Sequence, residues 1–305
     1  MKRKTWFWAL TPVAVALSLY GCGNGSDSDL AVDNNAQSCS VVSGTGSAVV
    51  VGSGLPGDPA APEAASGYRL GYKAKQSSNY MVVANTPLAT KAGCDVLKAG
   101  GTAVDAAVAV QAVLGLVEPQ SSTIAGSAFM MYYDAANKKV VAYDGRETAP
   151  AAATGYYLAR QDQSNASSPA PVPSARRSGR SIGVPGVMRM LDMAHKEHGK
   201  LAWAPLFDEG IRLASSGYKI PGRMGDAIRT NAANLQLDAN AVAAYFNADG
   251  TPKTTGTVTT NLPYAQSLRT LATGGADAMY SGPLAEAIVA KAAQSVGDDV
   301  AKTPI

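Results

Sequence analysis

Arg146 is the side chain in this sequence best placed to do binding chemistry. It stands in Asp144-Gly145-Arg146-Glu147-Thr148-Ala149-Pro150, directly after a strand-like apolar run. A guanidinium presents a planar fork of donors that matches a carboxylate bidentately. Taken alone, the same arginine also reads as an exposed residue paired with Glu147 or Asp144. The two histidines offer less. His195 and His198 are spaced by three, not by the four of a zinc-binding helix, and no His-Glu-x-x-His pattern surrounds them. They read as solvated residues near a helix C-terminus, where positive charge suits the dipole. There is no Gly-x-Ser-x-Gly elbow, phosphate loop or dinucleotide fingerprint, and Gly100-Gly101 reads as helix punctuation. The residues therefore imply no self-sufficient catalytic centre, no metal and no organic cofactor.

The elements that would carry Arg146 can be read from pattern. Met81 to Ala84 suggests a short buried strand. Thr86 is placed to cap a helix whose first turn holds Pro87 and which runs to about Lys98, ending at Gly100-Gly101. Thr102 with Asp105 three residues on is a capping-box spacing. It opens a second helix that is almost wholly apolar from Ala103 to Leu116, and a helix apolar all round is a buried one. Phe129 to Tyr133 and Val140 to Tyr143, around a turn at Asp134 to Lys138, predict an antiparallel hairpin, with the buried helix beneath it. Gln161 to Arg180 is rich in Ser, Pro and Arg and predicts an exposed loop. Further helices are expected over Val187 to His198, Pro205 to Ser216, Arg223 to Asn234, Tyr264 to Thr273 and Leu284 to Ser295.

The front of the chain has another character. Lys2, Arg3 and Lys4 precede an apolar run, Trp6 to Leu19, that falls short of the ~20 residues of a membrane span. Leu19-Tyr20-Gly21-Cys22 has the form of a bacterial lipobox, although Tyr20 is bulky for its place. Residues 1–21 are expected to be a secretion signal and Cys22 a lipidation site. An ordinary signal peptide cut nearby is the alternative; both export the chain, to the periplasm or to a membrane-anchored lipoprotein. Residues 22–70, dominated by Gly, Ser, Asp, Asn, Ala and Pro, bury too little to offset their ordering entropy and read as a tether. With Cys22 consumed, Cys39 and Cys94 remain, and a disulfide framework is not expected at that density.

Charged residues make up 16% of the chain and the net charge is +3, part of it in the signal. An average domain has about 25% charged residues. No basic patch argues for a nucleic-acid partner.

The motifs ANTPLATKAG, GGTAVDAAVAV, LGLVEPQSS, FMMYYD and DGRETAP occur in order between Ala84 and Pro150. They are followed by SIGVPGV, AHKEHGKLAW, IRLASSGY and MYSGPLAEAI. In this order they resemble the gamma-glutamyltransferase family, over residues 71–305, as the front part of its large subunit. The resemblance implies an α/β (α+β) fold, the αββα sandwich of N-terminal-nucleophile hydrolases, present here in part. It implies acyl transfer from, and hydrolysis of, γ-glutamyl compounds such as glutathione, with Arg146 gripping the substrate's α-carboxylate. The nucleophile would be a threonine at the start of a small subunit of the same precursor, beyond Ile305. No catalytic residue is then expected in this chain, and the chain alone is expected to be inactive. A related β-lactam side-chain acylase and a non-catalytic fragment are the alternatives. Thr123, Ala125 and Ser127 stand where the family has glycines, and a β carbon is destabilising wherever the backbone needs positive φ.

Overall fold

A computed structural model describes Cys39, residues 77–171 and residues 174–293. Leu19-Tyr20-Gly21-Cys22, the signal and nearly all of the expected tether lie outside the described residues.

Helices α1 (Pro87–Lys98) and α2 (Ala103–Val117) begin as their caps predict. The Thr86 side chain accepts from Ala89 N–H, and Thr102 with Asp105 forms a reciprocal capping box. The β1 (Ala128–Asp134) and β2 (Lys139–Gly145) strands form the antiparallel hairpin, in a register that sets Ala128 opposite Gly145 and Met131 opposite Ala142. At the turn, Asp134 Oδ1 accepts from the N–H groups of Ala136 and Asn137, and Lys138 takes a left-handed φ of 53°. After a long irregular segment come α3 (Val187–His198), a 3₁₀ turn at Ala204–Phe207 and α4 (Asp208–Ser216). The rest is mainly helical. Strand β3 (Tyr218–Lys219) leads to α5 (Gly222–Thr230), α6 (Ala232–Leu235) and α7 (Ala239–Tyr245). Strand β4 (Val258–Thr259) pairs with β3 and is followed by α8 (Leu262–Gly274) and α9 (Pro283–Ala293).

Helix α2 is the axis of the core, and its apolar residues explain why. Val104, Val108 and Ala112 join one cluster with Met188, Leu191, Phe207, Leu268 and Leu271. On its other side Ala109, Val113, Leu116 and Val117 join α1, Leu213, Ile220, Met224 and Ile228. A helix packed on both sides needs no polar stripe. The hairpin does not lie directly on α2, as expected from sequence. It rests on α3, and α3 rests on α2.

Two other expectations are corrected. Residues 81–84 form no strand: Met81 is exposed and Val83 is 84% exposed. A short apolar run becomes a strand only where a partner edge is at hand, and none of the described strands pairs with it. Cys39 and Cys94 form a disulfide, with 5.6 Å between their Cα atoms. Two cysteines 55 residues apart carry no local signal of pairing; the bond depends on where the chain brings Cys39 against α1.

Candidate substrate-binding site around Arg146

Arg146 follows the last residue of β2, at the open end of the hairpin. Its backbone N–H donates to Asp144 Oδ1 at 2.9 Å, which sets the turn out of the strand. Its Nη2 donates to Glu147 Oε1 at 2.6 Å. Side-chain exposure of 53% for Arg146 and 38% for Glu147 leaves the pair open to solvent. Exposed ion pairs contribute about 0–1 kcal/mol, so this one is better regarded as a device of orientation than of stability. The Glu147 carboxyl is held below the usual carboxylate range, first by a hydrogen bond from the Ser127 side chain, then by its own backbone N–H and by Arg146.

A strap of chain, residues 182–187, holds this corner. Val184 N–H donates to Thr148 O at 2.9 Å, and the two residues form an isolated antiparallel bridge. Gly186 and Val187 N–H both donate to Gly126 O, at 3.0 and 3.2 Å. A β carbon on Gly186 would lie 2.3 Å from Gly145 O and 2.8 Å from Arg146 O, so only glycine lets the strap pass there. From the far side the Tyr280 hydroxyl donates to Pro185 O at 2.6 Å. The backbone beneath Arg146 is thus fixed by three separate stretches of sequence. An exposed arginine fork on a rigid strand end can bind a carboxylate in a defined orientation. Among the described residues no group of three or more His, Cys, Asp or Glu could hold a metal ion.

The gamma-glutamyltranspeptidase family model matches residues 89–300. That range includes Arg146, the strap and every helix from α2 to α9. The chain belongs to the gamma-glutamyltranspeptidase family. It is 36% identical over 215 residues to glutathione hydrolase 3 of Arabidopsis thaliana, covering 70% of this chain and 32% of the relative. It is 34% identical to the glutathione hydrolase proenzyme of Bacillus subtilis over 211 residues, 68% of this chain and 34% of the relative. The structure of gamma-glutamyltranspeptidase from Helicobacter pylori superposes with a TM-score of 0.66 at 27% identity, over 72% of this chain and 61% of that one. The chain spans about a third of the length of the curated relatives it matches. Its mixed helix–strand fold is the α/β fold of this family of N-terminal-nucleophile hydrolases.

Other residues singled out from the sequence of this gamma-glutamyltranspeptidase family member lie elsewhere. The histidines are not solvated. His195 Nε2 lies 2.9 Å from Leu201 O and 3.3 Å from the fully buried Asp105 carboxylate. Asp105 also accepts from the backbone N–H groups of Thr102, Lys200 and Leu201, so it ties α2 to the end of α3. His198 stacks on Tyr132 of the hairpin with 4.0 Å between ring centroids. Spacing near a helix end suggested solvent; the hairpin and the Lys200–Leu201 turn cover both rings instead. Arg180, placed at the end of an exposed loop, is buried. Its guanidinium donates to the carbonyls of Tyr157, Arg160 and Gln161, at 2.9, 2.7 and 2.9 Å, and so folds the loop back on itself. The substitutions at Thr123, Ala125 and Ser127 bring no backbone strain: among the described non-glycine residues only Lys138 has positive φ. The Arg146–Glu147 pair is the one the sequence suggested; sequence reasoning missed the strap, and Gly183 and Gly186 within SIGVPGV were the signal that could have found it.

Proposed function

We propose that this chain forms the substrate-gripping part of an enzyme that transfers and hydrolyses γ-glutamyl groups. The observation that carries the reading is Arg146, a fork held at a strand end by the strap and open to solvent. The family membership supports it, since relatives bear the name glutathione hydrolase. In the reaction a hydroxyl nucleophile attacks the γ-carbonyl carbon. The amide C–N bond breaks, the leaving amine takes the hydroxyl's proton, and a γ-glutamyl ester remains. Water or an amino group then attacks the ester and regenerates the hydroxyl. A threonine amine at a new N-terminus can serve as base for both steps. In this reading that threonine belongs to a small subunit of the same precursor. Arg146 contributes by fixing the α-carboxylate, so that the γ-carbonyl is presented to the nucleophile in one geometry.

The partner subunit has a surface to cover. Phe129, Met131, Tyr133 and Val140 on the hairpin's outer face are between 56% and 69% exposed, and soluble monomers rarely leave apolar surface contiguous. The location proposed is outside the cytoplasm. A disulfide between Cys39 and Cys94 persists in an oxidising compartment, and the basic and apolar start of the chain has the form of an export signal. Lipid attachment at Cys22 belongs to the same proposal; Cys22→Ala abolishing membrane association is its check.

The test of function is Arg146→Lys in the assembled enzyme. Lysine keeps the charge and loses the fork. Hydrogen bonds to charged groups are worth roughly 1.5–3 kcal/mol, about tenfold to a hundredfold in kcat/KM. That loss is expected on γ-glutamyl-p-nitroanilide and not on 4-aminobutyryl-p-nitroanilide, which keeps the amine and the amide but lacks the α-carboxylate. Equal losses on the two substrates overturn the reading.

A further inference from the structure

Strand β2 ends at Gly145, so the hairpin ladder does not hold the backbone of Arg146. The strap does. Gly186 passes so close that a β carbon on it would lie 2.3 Å from Gly145 O and 2.8 Å from Arg146 O. Val184 bridges Thr148, two residues beyond Arg146. Between these two contacts stands Pro185, which has no N–H with which to join a ladder. What fixes Pro185 therefore fixes the floor under Arg146.

A latch from a distant part of the chain reaches it. The Tyr280 hydroxyl donates to Pro185 O at 2.6 Å. Tyr280 closes a 3₁₀ turn, Ala276–Met279, whose Met279 is buried in the cluster that includes Val104 and Val108 of α2. Its N–H donates to Asp277 O at 2.9 Å. The Asp277 carboxylate pairs with Arg189 Nη1 at 2.6 Å, and the Arg189 guanidinium lies 4.7 Å from the centre of the Tyr280 ring. Arg189 stands in the first turn of α3, where the helix dipole disfavours a cation. The carboxylate and the ring face offset that cost and hold the tyrosine against the start of α3. Burial pushes the Tyr280 hydroxyl up from its ordinary pKa, so it stays protonated and able to donate.

We propose that Tyr280 is a positioning residue for Arg146, acting through Pro185 and the strap, and thereby a determinant of selectivity for substrates bearing an α-carboxylate. The latch ties the strand end that carries the fork to the closed core, so the guanidinium meets its carboxylate from a fixed base. The inference rests on the proposed function of Arg146 and adds to it the residues that hold its backbone in place.

The experiment is a double-mutant cycle in the assembled enzyme. Tyr280→Phe removes the hydroxyl and keeps the ring over Arg189. It is compared with Arg146→Lys and with the double variant, on γ-glutamyl-p-nitroanilide and on 4-aminobutyryl-p-nitroanilide, which lacks the α-carboxylate. Loss of one hydrogen bond should raise KM for the γ-glutamyl substrate about fivefold. The carboxylate contact is present in ground and transition states alike, so kcat should change little. KM for the aminobutyryl substrate should not move. In the Arg146→Lys background Tyr280→Phe should add nothing further, since residues that act through one another are not additive. Asp277→Asn, an exposed change that frees Arg189, should raise the same KM about twofold. If Tyr280→Phe leaves KM unchanged while Arg146→Lys remains selective, this inference fails and the reading of Arg146 stands. If Tyr280→Phe weakens both substrates alike, or keeps its full effect beside Arg146→Lys, its role lies in folding or elsewhere and the inference fails as well. If Arg146→Lys is itself unselective, both fall.

Discussion

The helical body and the hairpin are built to opposite specifications. Around α2 every side is occupied: the two core clusters share the helix, and Phe207, Val113, Leu268 and Leu271 are fully buried. The hairpin is finished on one face only. Tyr132 and Tyr143 turn inward to α3 and its histidines, while Phe129, Met131 and Tyr133 alternate outward into solvent. Alternation with period two puts one face of a strand in the core and leaves the other to its partner. Arg146 leaves the hairpin at this boundary. Its backbone is braced by the finished side and its half-exposed guanidinium stands at the open one.

Three perturbations test this contrast. The largest effect is expected in the body. Phe207→Ala should remove about 3–5 kcal/mol of stability, since the ring is fully buried among Trp203, α2 and α8 and the site cannot easily collapse. Urea denaturation followed by far-UV circular dichroism measures it, and a loss under 1 kcal/mol would show that the body is less tightly closed than described.

An intermediate effect is expected where the hairpin's inner face meets α3. Tyr143 donates to Glu197 Oε2 at 2.5 Å. Its pKa is pushed up to about 12, chiefly by burial and then by that hydrogen bond. A raised folded-state pKa favours the neutral phenol. Its contribution is complete below the ordinary pKa of 10 and is lost as pH rises through about 12. Between those limits wild type should lose stability faster than Tyr143→Phe, and parallel curves would separate the hairpin from the body at this contact.

The smallest effect on helical stability belongs to the outer face. Phe129→Ser should change the unfolding of the α1–α3 body by no more than about 0.5 kcal/mol, as surface substitutions usually do. Size-exclusion chromatography of the assembled protein should instead show partial loss of the small subunit proposed above. Full retention would mean that the exposed face is not the one covered.

What could be read from the sequence follows from the range of the forces involved. The caps of α1 and α2 are encoded within four residues, and both were legible as Thr86 and as Thr102 with Asp105. The hairpin was legible because alternation is a local signal. Arg146 was visible as a candidate, with Asp144 and Glu147 as its partners, but the strap that braces its backbone was not. Ser127, Gly183 and Gly186 are distant in sequence from one another or from Arg146, and only the register and the strap bring them together. The burial of His195 and Arg180 escaped for the same reason. Their partners are backbone carbonyls and a capping aspartate, groups with no distinctive pattern of their own.

The Cys39–Cys94 bond would shorten the reach of an anchor at Cys22, the lipid site proposed above. Measured along the chain, 55 residues separate Cys22 from position 77, where the continuous description begins, but only 17 separate it from Cys39. At no more than about 3.6 Å per residue, the longer path could span roughly 200 Å and the shorter about 60 Å. Because Cys39 is fastened to α1, the shorter path sets the limit. A protein held by its residue 22 would therefore work within a shell about 60 Å deep at most. Reduction of one bond would release it to roam three times as far.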